Sequence, residues 1–130
     1  MAETFLYITL GTNDLTRAAR FYDAALAPLG LVRRATEPTE VGYGFAVDRR
    51  TRIWITLPYD GKPATFGNGT MLALAAPSQE AVQAFHKAAL AAGGSDEGAP
   101  GLRPYGDTFY AAYVRDPDGN KISAVHEGTG

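Results

Sequence analysis

The stretch FYDAALAPLG at Phe21–Gly30 returns as FHKAALAAGG at Phe85–Gly94, sixty-four residues further along the chain. Phe, Ala, Ala, Leu, Ala and Gly agree at six of the ten positions, a match that chance rarely produces in so short a window. In a chain of 130 residues, a repeat at this spacing predicts two copies of one supersecondary unit. We therefore expect the strands and helices around one copy to correspond to those around the other.

Each copy of the repeat lies in a predicted amphipathic helix. The first helix covers residues 14–29, where apolar residues follow the three-four spacing of a buried stripe. Thr12 or Asn13 is expected to cap its first turn by accepting a hydrogen bond from a free backbone amide. Gly30 is expected to end it. The second helix follows Ser78, its expected cap, and its predicted buried stripe is Ala81, Val82, Phe85, Ala88, Ala89 and Ala92.

Runs of β-branched and apolar residues predict strands on either side of each helix. The segment 95–107 is rich in glycine and proline, and it predicts at best one short or irregular strand. Both halves therefore have the element order βαβββ. The clear strands are predicted at Phe5–Leu10, Leu31–Thr36, Val41–Val47, Thr51–Leu57, Gly69–Ala76, Phe109–Arg115 and Lys121–His126.

The chain is predicted to form a single domain over residues 1–130, built from two modules. The first module covers about 4–58 and the second about 69–127. A linker rich in Pro, Gly and Asn, at about 59–68, joins them. The content of 45% apolar and 20% charged residues is typical of a soluble globular protein.

Charge and composition also indicate which partners to expect. A formal net charge of −2 and a pI near 5.6 give no electrostatic reason to expect nucleic acid. No apolar run approaches the roughly 20 residues that a membrane span needs, so we expect no membrane partner. The absence of cysteine excludes thiolate ligands and nucleophiles. It also fits a cytoplasmic protein.

Two further motifs accompany the repeat. The first helix ends in FY-x-x-x-L-x-x-L-G, and DPDGN at Asp116–Asn120, interpreted as a tight turn, precedes the last strand. Together with the βαβββ duplication, they resemble the vicinal oxygen chelate (VOC) superfamily, which includes glyoxalase I, extradiol dioxygenases, and fosfomycin- and bleomycin-resistance proteins. The resemblance covers roughly residues 4–127, nearly the whole chain.

The resemblance implies a fold and a set of partners. The fold is α+β, with two tandem βαβββ modules forming an incomplete mixed β-barrel around a central cavity and the helices on the outside. Many members of the superfamily bind a divalent metal in that cavity, and members commonly pair as homodimers. A homodimer is therefore expected here.

The resemblance also implies four metal-ligand positions, two in each module. The repeat offset pairs Tyr7 with Met71, and the corresponding hairpins pair Trp54 with Ser123. In the family these positions normally carry His, Glu or Gln. A divalent cation prefers imidazole nitrogen or carboxylate oxygen, and none of the four side chains here offers either. We therefore predict no metal and no cofactor at these positions.

Strand alternation predicts which side chains line the cavity. Aliphatic residues in each strand fall on the side that covers the helices, and Tyr7, Trp54 and Met71 fall on the opposite side. An aromatic and apolar cavity suits a planar or apolar small molecule. Alternatively, these bulky side chains pack against each other and fill the barrel. The predicted ligand-binding residues are Phe5, Tyr7, Thr9, Arg52, Trp54, Thr56, Met71, Ser123 and Val125.

Few other residues suggest chemistry, and the sequence identifies no catalytic residue. Arg103, Tyr105 and Asp107 lie in the loop before the seventh predicted strand, where they either form turns or bind an anion or exchange protons. His86 is expected at a helix surface, and His126 on the helix-side face of the last strand.

Three functions stay open at this point. The first is a metal-free protein that binds a small apolar or aromatic molecule, as the bleomycin-binding relatives do. The alternative is a metal-dependent lyase, isomerase or dioxygenase of the glyoxalase family whose ligands come from unexpected residues. In the third, the cavity is closed and the chain serves protein contacts. The open or closed state of the cavity separates the third from the first.

Overall fold

A computed structural model describes residues 3–128, and its elements follow the order βαβββ twice. The helices are α1 (Leu15–Leu26), which continues into a 3-10 turn at Ala27–Leu29, and α2 (Gln79–Ala91). The strands of the first module are β1 (Ile8–Gly11), β2 (Val32–Thr36), β3 (Glu40–Gly44) and β4 (Ile53–Thr56). Those of the second are β5 (Met71–Ala75), β6 (Ser95–Leu102), β7 (Phe109–Arg115) and β8 (Lys121–Glu127).

The cap of α1 differs from the predicted one. Asp14 occupies the cap position and accepts the backbone amide of Arg17 at 3.1 Å, so the expectation of Thr12 or Asn13 is wrong. Both of those residues bind the second module instead. Gly30 adopts a φ of 85°, the left-handed conformation that glycine tolerates best, and it ends the helical segment as predicted.

The second helix, α2, begins at Ser78 as predicted. The Ser78 hydroxyl accepts the amide of Ala81 at 3.0 Å. Ala88 and Ala92 of the predicted stripe are only partly buried. The fully buried residues of the helix are Ala81, Val82, Phe85 and Ala89.

The two helices pack against each other, and the repeat supplies the contact. Phe21 and Phe85, the first residues of the two copies, are completely buried. Gly94, the last residue of the second copy, lies so close to Phe21 that a Cβ there would stand 2.6 Å from the ring carbon Cε1. A side chain at this position is excluded, and both modules contribute to one hydrophobic core.

The strands form two four-stranded mixed sheets, with the orders β1-β4-β3-β2 and β5-β8-β7-β6. The first and last strands of each module pair in parallel, and all other neighbours are antiparallel. The predicted α+β class and the tandem modules are confirmed. Within residues 3–128 no strand pairing joins the two sheets, so they do not close into a barrel. Both β1 and β5 are edge strands, and residues of both line a common cleft.

The sixth strand is longer than the sequence predicts. β6 has eight residues and pairs with β7, so of the two expected alternatives, a short or an irregular strand, it is not the short one. Its register shifts between Asp96 and Gly98 and again between Gly98 and Gly101, which confirms the expected irregularity. The glycine residues accompany these bulges, where the strand departs from regular pleating.

A carboxylate of the second module holds the start of α1. Asp118, in the turn between β7 and β8, accepts the Thr12 hydroxyl and, at 2.9 Å, the backbone amide of Asn13. Arg17 adds an ion pair at 3.0 Å. The Asp118 side chain is only 2% exposed, so water competes little for these contacts. We call this group of four residues the tether. The interpretation of DPDGN as a turn alone misses this second role.

Asp116 forms a neighbouring buried network. It accepts the Tyr22 hydroxyl at 2.6 Å and both the amide and the side chain of Asn120 at 2.9 Å. Burial raises the pKa of Asp116 above its ordinary value, and these hydrogen bonds oppose that shift. Burial, with the nearby Asp116 charge, raises the pKa of Tyr22, so its hydroxyl stays protonated and donates. Asn120 also donates to the Gly11 carbonyl at 2.9 Å, a second link between the modules.

The tether makes a specific prediction for stability. Asp118→Ala is expected to lower the free energy of unfolding by about 2–3 kcal/mol, because the Thr12 hydroxyl and the Asn13 amide lose a charged acceptor and Arg17 loses its ion pair. Urea unfolding followed by circular dichroism measures the change. Asp60→Ala is the matched control, since Asp60 accepts the amide of Lys62 in an exposed turn, and it should change stability by less than about 0.5 kcal/mol. Equal stability of the two variants would contradict the role of the tether.

Candidate functional site

The strand register shows that two of the four expected metal positions, Trp54 and Ser123, are equivalent. Trp54 lies opposite Thr9 in β1, and Ser123 lies opposite Ala73 in β5. Ala73 follows Thr9 by the same offset of sixty-four residues that separates the two helices, so Trp54 and Ser123 are structurally equivalent.

The four side chains do not form a metal site. Tyr7 and Met71 are 55% and 44% exposed, Trp54 is half-buried, and Ser123 is completely buried. The Ser123 hydroxyl has no hydrogen-bond partner among the described residues. A phenol, an indole, a thioether and a neutral hydroxyl are poor ligands for a hard or borderline cation. Residues 3–128 also contain no group of three or more His, Cys, Asp or Glu placed to hold a metal. The donor set therefore does not fit the metal that the family suggests.

An apolar cleft of about 690 Å³ is lined by residues in and beside β1 and β5. Four predicted ligand-binding residues line it: Phe5, Tyr7, Arg52 and Met71. The sequence did not predict the other residues of its lining, because it assigned the aliphatic positions to the face that covers the helices. These residues are Leu6, Ile8, Leu31, Phe45, Ile53, Leu72, Leu74 and Ala75; Ala73, which strand alternation places on the same face as Met71, completes the lining.

Arg52 is the charged residue of the cleft lining, and protein groups already satisfy it. Its guanidinium forms ion pairs with Glu3 at 2.5 Å and Asp48 at 3.6 Å, and it donates to the Leu6 carbonyl at 3.1 Å. The hydrogen bonds from Arg52 and Arg49 lower the pKa of Glu3, so the carboxylate is ionised and holds Arg52 in place. The cleft therefore presents an apolar surface with a neutralised polar edge.

The remaining predicted residues lie elsewhere. Thr56 lines a separate cavity of about 750 Å³ beside the linker, and Val125 lines a third of about 570 Å³. Trp54 lies across Gly42, where an added Cβ would stand 2.9 Å from the indole carbon Cζ3. The nine predicted residues thus do not surround one cavity.

The other polar candidates also have defined positions. Nε2 of His86 lies 2.9 Å from Asp96 Oδ1 beside α2, and Nδ1 of His126 lies 3.0 Å from the Ala76 carbonyl oxygen. Asp107 is exposed. Arg103 and Tyr105 line a further cavity of about 500 Å³ on the second module.

Comparison with known proteins places this fold in a family. Residues 4–124 match the Glyoxalase/Bleomycin resistance protein/Dioxygenase superfamily. A glyoxalase/bleomycin resistance protein from Albidiferax ferrireducens T118 is 42% identical, with 97% of this chain and 100% of that chain covered and a TM-score of 0.86. A glyoxalase-related enzyme from Fulvimarina pelagi is 24% identical, with 96% of this chain and 88% of that chain covered and a TM-score of 0.75, a likeness of fold alone. A comparison with curated proteins found no match.

Two βαβββ modules around a shared core define the class of protein. The chain belongs to the glyoxalase/bleomycin resistance/dioxygenase superfamily, as its motifs predict. In the described part of the chain, no helix is both long and apolar enough to cross a membrane. The cytoplasmic location expected from the absence of cysteine stays a prediction.

The contact between Gly42 and Trp54 can be tested by fluorescence. Gly42→Ala is expected to displace the indole, with a loss of about 1–3 kcal/mol in unfolding free energy from overpacking. Because Trp54 is the single tryptophan of the chain, its emission maximum reports the displacement directly. Gly106→Ala is the control, since the nearest neighbour of its added Cβ would stand at 3.5 Å, and it should change neither quantity. Unchanged emission in G42A would show that the indole does not depend on Gly42.

Proposed function

We propose that the protein binds a small apolar or aromatic molecule in the cleft between β1 and β5. The observation that carries the proposal is the cleft itself, because about 690 Å³ is typical of sites for small organic molecules. Phe5, Tyr7 and Met71 supply aromatic and polarisable surface there. Since Arg52 is already paired with Glu3, burial of apolar area is the main driving force, at about 25 cal/mol per Å².

We further propose that binding does not depend on a metal at the four family positions. The chemistry of Tyr7, Trp54, Met71 and Ser123 supports this, since none supplies imidazole or carboxylate. A metal-dependent lyase, isomerase or dioxygenase would need ligands from other residues. No observation in the described residues favours that alternative.

Filling the cleft tests the proposal. Ala73→Phe places a large side chain in the lining from an exposed position on β5, where it does not enlarge the core. We expect the affinity for a neutral hydrophobic dye such as Nile red, measured by fluorescence titration, to fall at least about tenfold, since the lost apolar contact area amounts to more than about 1.4 kcal/mol.

The matched control is Ala84→Phe on the exposed face of α2, which should bind the dye as the wild type does. Equal affinity in Ala73→Phe, Ala84→Phe and the wild type would place the dye elsewhere. That result would overturn the cleft as the binding site.

We also propose that two copies of the chain associate through the edges at the cleft. Phe5 is 83% exposed, Tyr7 and Met71 are about half exposed, and β1 and β5 each pair with a strand on one side only in the described residues. Unpaired strand edges and clustered apolar side chains are what a second protein surface covers. A second copy presents the same pair of edges, so a two-fold symmetric contact is self-complementary.

Native mass spectrometry of freshly purified protein tests the assembly and the metal together. We expect a species of twice the 13.8 kDa chain mass and no stoichiometric metal. The double variant Phe5→Glu/Tyr7→Glu should shift the protein to the monomer, because it buries two carboxylates at the interface. Tyr59→Glu is the control, since Tyr59 is completely exposed on the linker. A monomeric wild type would overturn the dimer, and bound zinc, nickel or iron would overturn the metal-independent site.

A further inference from the structure

A separate cavity of about 500 Å³ lies on the second module, on the face of its sheet opposite α2. Its floor is Tyr113 of β7, whose neighbours Ala112 and Val114 point into the core on the other face. The cavity shares only Met71 with the apolar cleft. Its lining is Met71, Glu97, Gly98, Arg103, Tyr105, Phe109, Tyr113 and Lys121.

Two cations lie close to the Tyr113 ring. The guanidinium carbon of Arg103 is 5.3 Å from the ring centroid, and Nζ of Lys121 is 5.6 Å from it. A cation over an aromatic ring is stabilised by the ring quadrupole, so the ring holds both groups beside the cavity without neutralising them.

The backbone of β6 fixes the position of Arg103. The guanidinium donates to the carbonyls of Ala99 at 2.6 Å and Leu102 at 3.3 Å. Gly98 and Gly101 leave room for it, since a Cβ at either would stand 3.2 or 3.1 Å from a guanidinium nitrogen. Because these two glycines leave this space, the Arg103 guanidinium is held in position against Tyr113 before a ligand binds.

The charges of this cavity are not balanced among the described residues. Neither Arg103 nor Lys121 forms an ion pair there. The acidic residue of the lining is Glu97, and its carboxylate lies 3.6 Å from Arg115. In the first module, Arg52 occupies the position equivalent to Lys121 and is paired with Glu3. The positive charge of Lys121 therefore has no ion-pair partner among the described residues, whereas Glu3 neutralises the equivalent charge of Arg52 in the first module.

We propose that this cavity binds a small aromatic carboxylate. The carboxylate accepts hydrogen bonds from Arg103 and Lys121, and its ring packs beside Tyr105 and Phe109, whose own rings meet edge to face at 5.3 Å. The site is distinct from the apolar cleft, and it takes a different class of ligand. It requires neither a metal nor a residue of the first module.

The test compares benzoate with benzamide, a neutral analogue of the same shape, in NMR titrations of the full chain. Benzoate is expected to bind at least about tenfold more tightly, because charge-assisted hydrogen bonds are about twice as strong as neutral ones. Arg103→Gln and Lys121→Gln should each weaken benzoate binding about tenfold and leave benzamide binding unchanged. Lys87→Gln removes the same charge from the exposed face of α2 and is the control, with no expected change.

The outcomes separate this site from the cleft. Arg103→Gln and Lys121→Gln should bind Nile red as the wild type does, and Ala73→Phe should retain benzoate. Benzoate binding no tighter than benzamide would overturn the aromatic carboxylate as ligand. An equal loss in Lys87→Gln would show a general charge effect and would overturn the site as well.

Discussion

Close packing of the two repeat copies is the constraint on which the rest of the structure depends. Gly94 touches Phe21 without space for a Cβ, so α1 and α2 approach closely and both modules bury one core. The modules are joined by side-chain packing and by the tether, and no strand pairing is described between their sheets. This arrangement leaves β1 and β5 as edges and opens the cleft that they line.

Most of the fold could be predicted because its signals are local. Helical spacing identifies α1 and α2, and the predicted bounds of β7 coincide with the observed ones. The errors arise where contacts between residues distant in sequence determine the local structure. Thr12 looks like a cap, yet Asp118, 106 residues later, takes its hydroxyl, and Asp14 caps the helix instead. β6 is held by pairing with β7, which compensates for a composition poor in strand formers.

The candidate site could be predicted only in part. Alternation along a strand divides residues between two faces, but a groove beside an edge strand can be lined by side chains of both faces. β5 is an edge, so Leu72 and Leu74 line the cleft together with Met71. The sequence also does not predict the ion pair of Arg52 with Glu3, or that Lys121 has no ion pair among the described residues. Both depend on which residues distant along the chain lie nearby. Duplicated positions have thus acquired different electrostatic environments.

The tether has a consequence for how the chain matures during synthesis. Asp118 is synthesised 106, 105 and 101 residues after Thr12, Asn13 and Arg17. The first module therefore leaves the ribosome with the start of α1 unsecured, and only the last hairpin completes it. Contacts between residues so distant in sequence slow folding, and the surfaces of the first module stay accessible until these contacts form. A chain truncated before Asp118 therefore lacks the carboxylate that joins its two halves.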